Sequence, residues 1–200
     1  MAGIGTLIIG GLFAGYGLTD TPATPIREIG IDRLTRDVKT DRHINTTNVH
    51  LFLREKEWEP LNLKLKLGMT VSRATGSIEQ LQGSYEEGTL RPVTLDSPGW
   101  GIGPMAEARL KLFQAGRLSG SLDATAGVLL YDRKFPAGGD RYNGMGQIGP
   151  SLTWRMGEGE RGSALTAGWR HMHVSNGQGV NAGNPSYESR GWTLRYAKPL

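Results

Sequence analysis

Cysteine is absent from the 200 residues, which excludes a disulfide framework and a thiolate metal site while selecting no compartment. Also missing is any apolar run of the ~20 residues that a membrane-crossing helix needs. The nearest approach, Gly5 to Leu18 (GTLIIGGLFAGYGL), is short and glycine-rich, and no basic residue precedes it. It has the length of a signal-peptide apolar core. Residues 1–22 are therefore expected to be a signal-peptide remnant or a first strand, and 23–200 the folded domain. The mean hydropathy of −0.36 argues against a helical membrane protein. It does not argue against a transmembrane barrel, whose lipid-facing and lumen-facing residues alternate and average out.

What is present points to an all-β chain: thirty glycines, frequent Ser and Thr, and short segments of alternating polarity. The formal charge of +4 and pI near 9.5 favour an anionic partner, either nucleic acid or a phosphorylated lipid surface. No helix-based nucleic-acid motif and no interleaving of basic with aromatic residues is found, so nucleic acid is not expected.

Period-two segments recur along the chain. In Leu61 to Val71 the residues Leu61, Leu63, Leu65, Leu67, Met69 and Val71 share one face, against Lys64 and Lys66 on the other. Val49, Leu51 and Leu53 alternate in the segment before it. Similar rows run from Ile102 to Leu112, Leu118 to Leu130 and Ile148 to Met156, then over 163–175 and 187–197. A weaker one from Ile26 to Leu34 brings the count to eight. Gly, Pro, Asn and Asp clusters separate them as turn signals. Alternation alone leaves two architectures open. In a soluble sandwich the aliphatic rows face inward. In a membrane barrel they face lipid, and Lys64, Lys66, Glu107, Arg109, Lys111, Asp123 and Arg155 fill the lumen as a paired polar core.

The last two segments carry the candidate chemistry. His173 and Ser175 share one strand parity, and Glu188 lies on the next segment. A hydroxyl nucleophile needs an adjacent base, itself held by a third group. If the segments pair antiparallel with His173 opposite Glu188, Trp169 meets Trp192 and Leu165 meets Tyr196, so the apolar faces coincide. Opposed residues then have Cβ atoms ~5 Å apart, and Ser175 lies ~7 Å along the same face. On spacing alone the simpler account is a hydrogen-bonded rim histidine, with Ser175 and Asn176 as turn formers. His171 reads as an interfacial or packing residue. Trp154, Trp169, Trp192, Tyr187 and Tyr196 read as an interfacial girdle or core rather than a cofactor box. No metal and no cofactor is expected, because no carboxylate or cysteine set converges on the two histidines.

From about Phe135 to Leu200 the chain resembles the PagL-like lipid A 3-O-deacylase family of outer-membrane proteins. The resembling residues are Phe135-Pro136-Ala137-Gly138-Gly139, Tyr142-Asn143, Ile148-Gly149, Trp169-Arg170, His173-Val174-Ser175-Asn176-Gly177, Asn184 to Glu188-Ser189, and Lys198-Pro199-Leu200. The earlier two-thirds match only in strand pattern. Gly144 stands where that family has a phenylalanine.

The resemblance implies an eight-stranded antiparallel transmembrane β-barrel in the bacterial outer membrane. It also implies a serine esterase that removes the 3-hydroxyacyl chain from position 3 of lipid A. It assigns His173 as base, Ser175 as nucleophile, Glu188 as orienter, and Asn176 with the Gly177 backbone N–H as oxyanion donors. The partners implied are lipopolysaccharide and outer-membrane lipids, and the sequence leaves open whether the chain forms a homodimer. Arg133, Lys134, Arg141 and Arg190 are candidates to hold lipid A phosphates, with plain solvation as the blander account of each. The alternatives are a non-catalytic outer-membrane barrel that supports membrane integrity or binds lipid, and a soluble β-sandwich binding module.

Overall fold

A computed structural model describes residues 22–36, 41–157, 162–175 and 186–199, together with Gly11 and Ala14. The expectation for residues 1–22 lies almost wholly outside the described residues. The strands are β1 (Thr24–Arg36), β2 (Arg42–Trp58), β3 (Leu63–Gln82), β4 (Arg91–Asp96), β5 (Gly99–Ala115), β6 (Leu118–Phe135), β7 (Asp140–Met156), β8 (Ser163–Ser175) and β9 (Tyr187–Pro199). All pairings are antiparallel between neighbours in the ring β1-β2-β3-β5-β6-β7-β8-β9, and β1 pairs with β9 to close it. The wall therefore has eight strand positions, and closure leaves none of those eight as an edge strand.

The ninth segment escaped the sequence reading. β4 pairs only with the upper part of β3, Ser77 opposite Asp96 through Gln82 opposite Arg91, and β5 takes over from Ala74 opposite Gly99. Its six residues, RPVTLD, carry too little alternation to stand out beside Pro92. Another boundary moves as well: Leu61, expected in a strand, sits in the turn Glu59–Leu61, and the strand begins at Leu63. Pro60 starts that turn, and Asn62 ends it in the left-handed region at φ 50°.

The alternation resolves in favour of lipid. Ile29, Ile31, Leu51, Ile102, Leu130, Ile148, Leu152, Trp154 and Leu194 are all exposed on the outer wall. Burying these rows in water-excluding surroundings requires hydrocarbon outside the cylinder. One sheet closed on itself also excludes the sandwich, which needs two sheets face to face.

The lumen is filled over most of its length, in two layers. Midway along it, Glu28, Asp32, Glu107 and Asp123 are buried with Lys66, Arg109, Arg170 and Arg195. Asp123 receives Arg109 Nε at 2.9 Å and Nη2 at 3.1 Å. Glu28 receives Lys66 Nζ at 2.6 Å, Arg195 bonds Glu107, and His50 contacts Asp32 at 2.7 Å. Equal numbers of opposite charges, each hydrogen-bonded, meet the condition for burying ions at all. The barrel alternative placed Lys66, Glu107, Arg109 and Asp123 in the lumen, and there they are buried. Arg170 and Arg195, of the same parity, complete the network.

Above this layer an apolar plug of Leu34, Ile44, Ile78, Leu129, Phe135, Met145, Met172, Val174 and Tyr187 seals the end where β8 stops and β9 starts. Within it the Tyr131 and Phe135 rings stack at 4.1 Å and Tyr187 meets Phe135 edge-on at 5.6 Å. Tyr187 thus belongs to the core. Below, a cavity of about 150 Å3 opens toward the short turns, lined by Glu55, Lys64, Lys66, Arg109 and Arg155 among others.

Candidate active site on the outer wall

Alternate residues of β8 set the geometry of the site. Arg170, Met172 and Val174 are buried in the lumen. Strand alternation therefore turns Trp169, His171, His173 and Ser175 outward. On β9, buried Tyr187, Ser189, Thr193 and Arg195 likewise leave Glu188, Arg190, Trp192, Leu194 and Tyr196 outside. The anchor is firm because Met172 and Val174 pack into the apolar plug.

The expected register is the observed one. His173 lies opposite Glu188, Trp169 opposite Trp192, and Leu165 opposite Tyr196. The two tryptophans pack edge to face, with ring centroids 5.0 Å apart at 84°, one of the preferred aromatic geometries. His173 Nδ1 stands 3.6 Å from Glu188 Oε1, with the two side chains 49% and 40% exposed. That separation exceeds a hydrogen bond, and such contacts in free enzymes commonly tighten when substrate excludes water.

Ser175 closes β8 two positions beyond His173 and lies opposite Gly144 of β7. Gly146 lies opposite His173, and a Cβ added there would meet nothing within 4 Å. Among the described residues, the wall beside the histidine is therefore bare backbone with room over Gly146. The proposed oxyanion donors Asn176 and Gly177 lie outside the described residues.

His171, expected as an interfacial or packing residue, lies 35% exposed on the outer wall and has polar partners besides. Its Nε2 lies 3.7 Å from Glu188 Oε2, and its Nδ1 accepts a hydrogen bond from Arg190 Nε at 3.2 Å. Cross-strand pairing of His171 with Arg190 causes this; the register that joins His173 to Glu188 also predicts it, two residues down each strand. Among the basic candidates for phosphate contact, Arg190 thus faces His171, Arg141 Nε donates to the Tyr131 carbonyl at 3.1 Å, and Arg133 pairs with Asp132 at 3.1 Å. Among the described residues no group of three or more His, Asp or Glu side chains is arranged to hold a metal ion.

No protein-family model matches the chain. No curated protein matches it either. Among solved structures, the outer-membrane enzyme PagL matches over 88% of this chain and 99% of its own, at 15% identity and a TM-score of 0.47. The β domain of the Bordetella autotransporter Brka matches over 89% of this chain and 98% of its own, at 11% identity and a TM-score of 0.32. Neither likeness bears on the chemistry of the site.

Proposed function

We propose that this barrel sits in a bacterial outer membrane and is a serine esterase that deacylates lipid A at position 3. The observation that carries the reading is the outward register of His173 against Glu188, with Ser175 next on the same wall. A triad on the lipid-facing surface suits a substrate whose ester is itself held in the bilayer.

In this reading Ser175 Oγ attacks the ester carbonyl while His173 Nε2 takes its proton. His173 returns that proton to the sugar oxygen as the carbon–oxygen bond breaks, leaving a 3-hydroxyacyl group on Ser175. Water, deprotonated by His173, then attacks the acyl-enzyme, and His173 returns that proton to Ser175 Oγ as the acyl–oxygen bond breaks, releasing the free hydroxy acid. Glu188 faces Nδ1, holds the tautomer and stabilises the imidazolium. Asn176 and the Gly177 N–H supply oxyanion donors, each worth ~3 kcal/mol of barrier in comparable sites. The open backbone at Gly146 gives the substrate carbonyl space beside the base.

Lipid A from cells expressing the protein should be lighter by one 3-hydroxyacyl group, and Ser175→Ala or His173→Ala should abolish that mass shift in folded protein. Full deacylation by Ser175→Ala removes this serine from the reaction. A barrel that only supports membrane integrity or binds lipid leaves the lipid A mass spectrum unchanged.

A further inference from the structure

Glu188 is shared between two imidazoles, and only one of them belongs to the proposed triad. His173 faces Oε1 at 3.6 Å and His171 faces Oε2 at 3.7 Å, so each carboxylate oxygen has its own ring. The far side of His171 is occupied too, since Arg190 Nε donates to its Nδ1 at 3.2 Å. A guanidinium nitrogen can only donate, so that Nδ1 must present its lone pair. The ring proton of neutral His171 is then on Nε2, the nitrogen 3.7 Å from Glu188 Oε2, a gap that like the His173 one must tighten to become a hydrogen bond.

This arrangement answers a problem that an exterior triad has and a cleft triad does not. Glu188 lies 40% exposed on the outer wall, on a flexible stem. A carboxylate so placed visits several rotamers, and only some present an oxygen to His173 Nδ1. On the β1 side Thr35 lies opposite Arg190 and its hydroxyl donates to the Arg190 carbonyl at 3.2 Å, while beyond β8 the outward Gly144, Gly146 and Ile148 of β7 carry no hydrogen-bonding side chain. Resting on the esterase reading above, we propose that His171, backed by Arg190, is a positioning residue that holds Glu188 Oε2 and so reserves Oε1 for His173.

The test is steady-state release of hydroxy acid from lipid A in mixed detergent micelles, with the full chain and folding verified by heat-dependent gel mobility. His171→Phe keeps a ring of similar size and removes both nitrogens. It should lower kcat about 10-fold to 100-fold, the scale of a misplaced catalytic group, with KM within about twofold. His171→Gln can accept from Arg190 and donate to Glu188, and should recover most of the lost kcat. Arg190→Leu should lower kcat in the same direction by a smaller factor, and it decides the matter if His171→Phe does not fold.

Unchanged kcat in His171→Phe, or in Arg190→Leu where that variant decides, overturns the positioning role. So does a Gln variant as slow as Phe. A raised KM with kcat intact assigns the pair to substrate binding instead and also overturns it. Ser175→Ala separates the two levels. Activity retained there, or absent from the wild-type chain, sinks the esterase reading and the positioning role with it. An inactive Ser175→Ala beside a fully active His171→Phe sinks the positioning role alone.

Discussion

Replacing Asp123 with alanine tests whether the lumen is a dry ionic core or a screened, water-filled channel. Five donor contacts converge on this carboxylate: Arg109 Nε at 2.9 Å and Nη2 at 3.1 Å, Ser121 at 3.1 Å, Ser151 at 2.9 Å, and Arg170 Nη2 at 2.5 Å. Asp123 and Arg170 have fully buried side chains, and Arg109 is 10% exposed. Breaking a buried ion pair from one side costs about 3–5 kcal/mol, because the cation left behind keeps its desolvation penalty. Two features pull the cost toward the lower half of that range. Arg109 lines the cavity at the short-turn end, where water can reach it. Arg170 Nη1 keeps its contacts to the Trp169, Pro150 and Gly149 carbonyls at 2.9, 3.2 and 3.3 Å. The expected loss is therefore about 3–4 kcal/mol, read from urea unfolding in lipid vesicles by the fluorescence of the five tryptophans. A loss below about 1 kcal/mol, the scale of exposed ion pairs, would refute the dry core.

Three further outcomes follow from the same structure. Leu194→Arg, on the outer wall of β9, should destabilise the vesicle-embedded protein by about 2–4 kcal/mol near the bilayer midplane; a change within measurement error would mean that this face does not meet lipid. Gly30 faces the lumen, where an added Cβ would lie 2.7 Å from Arg195 Cγ. Gly30→Val should displace that arginine from Glu107 and Glu28 and lower stability by about 1–3 kcal/mol in the same unfolding assay, whereas wild-type stability would show that Arg195 can re-route. Gly146→Leu should fold normally by gel mobility yet raise KM for lipid A several-fold by filling the open wall beside His173, and an unchanged KM would put the substrate elsewhere.

Much of this was legible because strand parity is a rigid code. Once Trp169 is matched to Trp192, His173 must meet Glu188, and the observed register agrees residue for residue. The same parity assigned Lys66, Glu107, Arg109 and Asp123 to one side of the wall, but not to the inside or the outside of it. Composition cannot separate the two, since a sandwich and a barrel share the alternation; closure through β1 and β9 decides it. β4 was invisible because its pairing is to the distal half of a twenty-residue strand, a tertiary fact with no local signature. The polar partners of His171 went unforeseen because they come from β9: an interfacial histidine among aromatics shows no partner until Arg190 and Glu188 flank it.

The filled lumen is the physical reason for putting the proposed esterase chemistry on the outer wall. The carboxylates Glu28, Asp32, Glu107 and Asp123 are each committed to a buried cation or to His50. A proton-transfer role for any of them would leave its partner charged and unpaired in the core. The apolar plug also closes the lumen at the end where β8 meets β9. On the outer wall the ionisable groups are half exposed instead, His173 at 49% and Glu188 at 40%. At its upper edge it presents His173, Glu188 and Ser175, and below them the apolar row of Trp169, Trp192, Ala167 and Leu194. A bilayer ester has its carbonyl at the polar boundary and its chain below it, in the same vertical order. Because side chains alternate with period two, a one-residue slip of β8 would exchange His173 with Val174 and bring the site into the plug. Packing that excludes the slipped register, through Met172 and Val174 inside, therefore also fixes the histidine on the face that touches lipid.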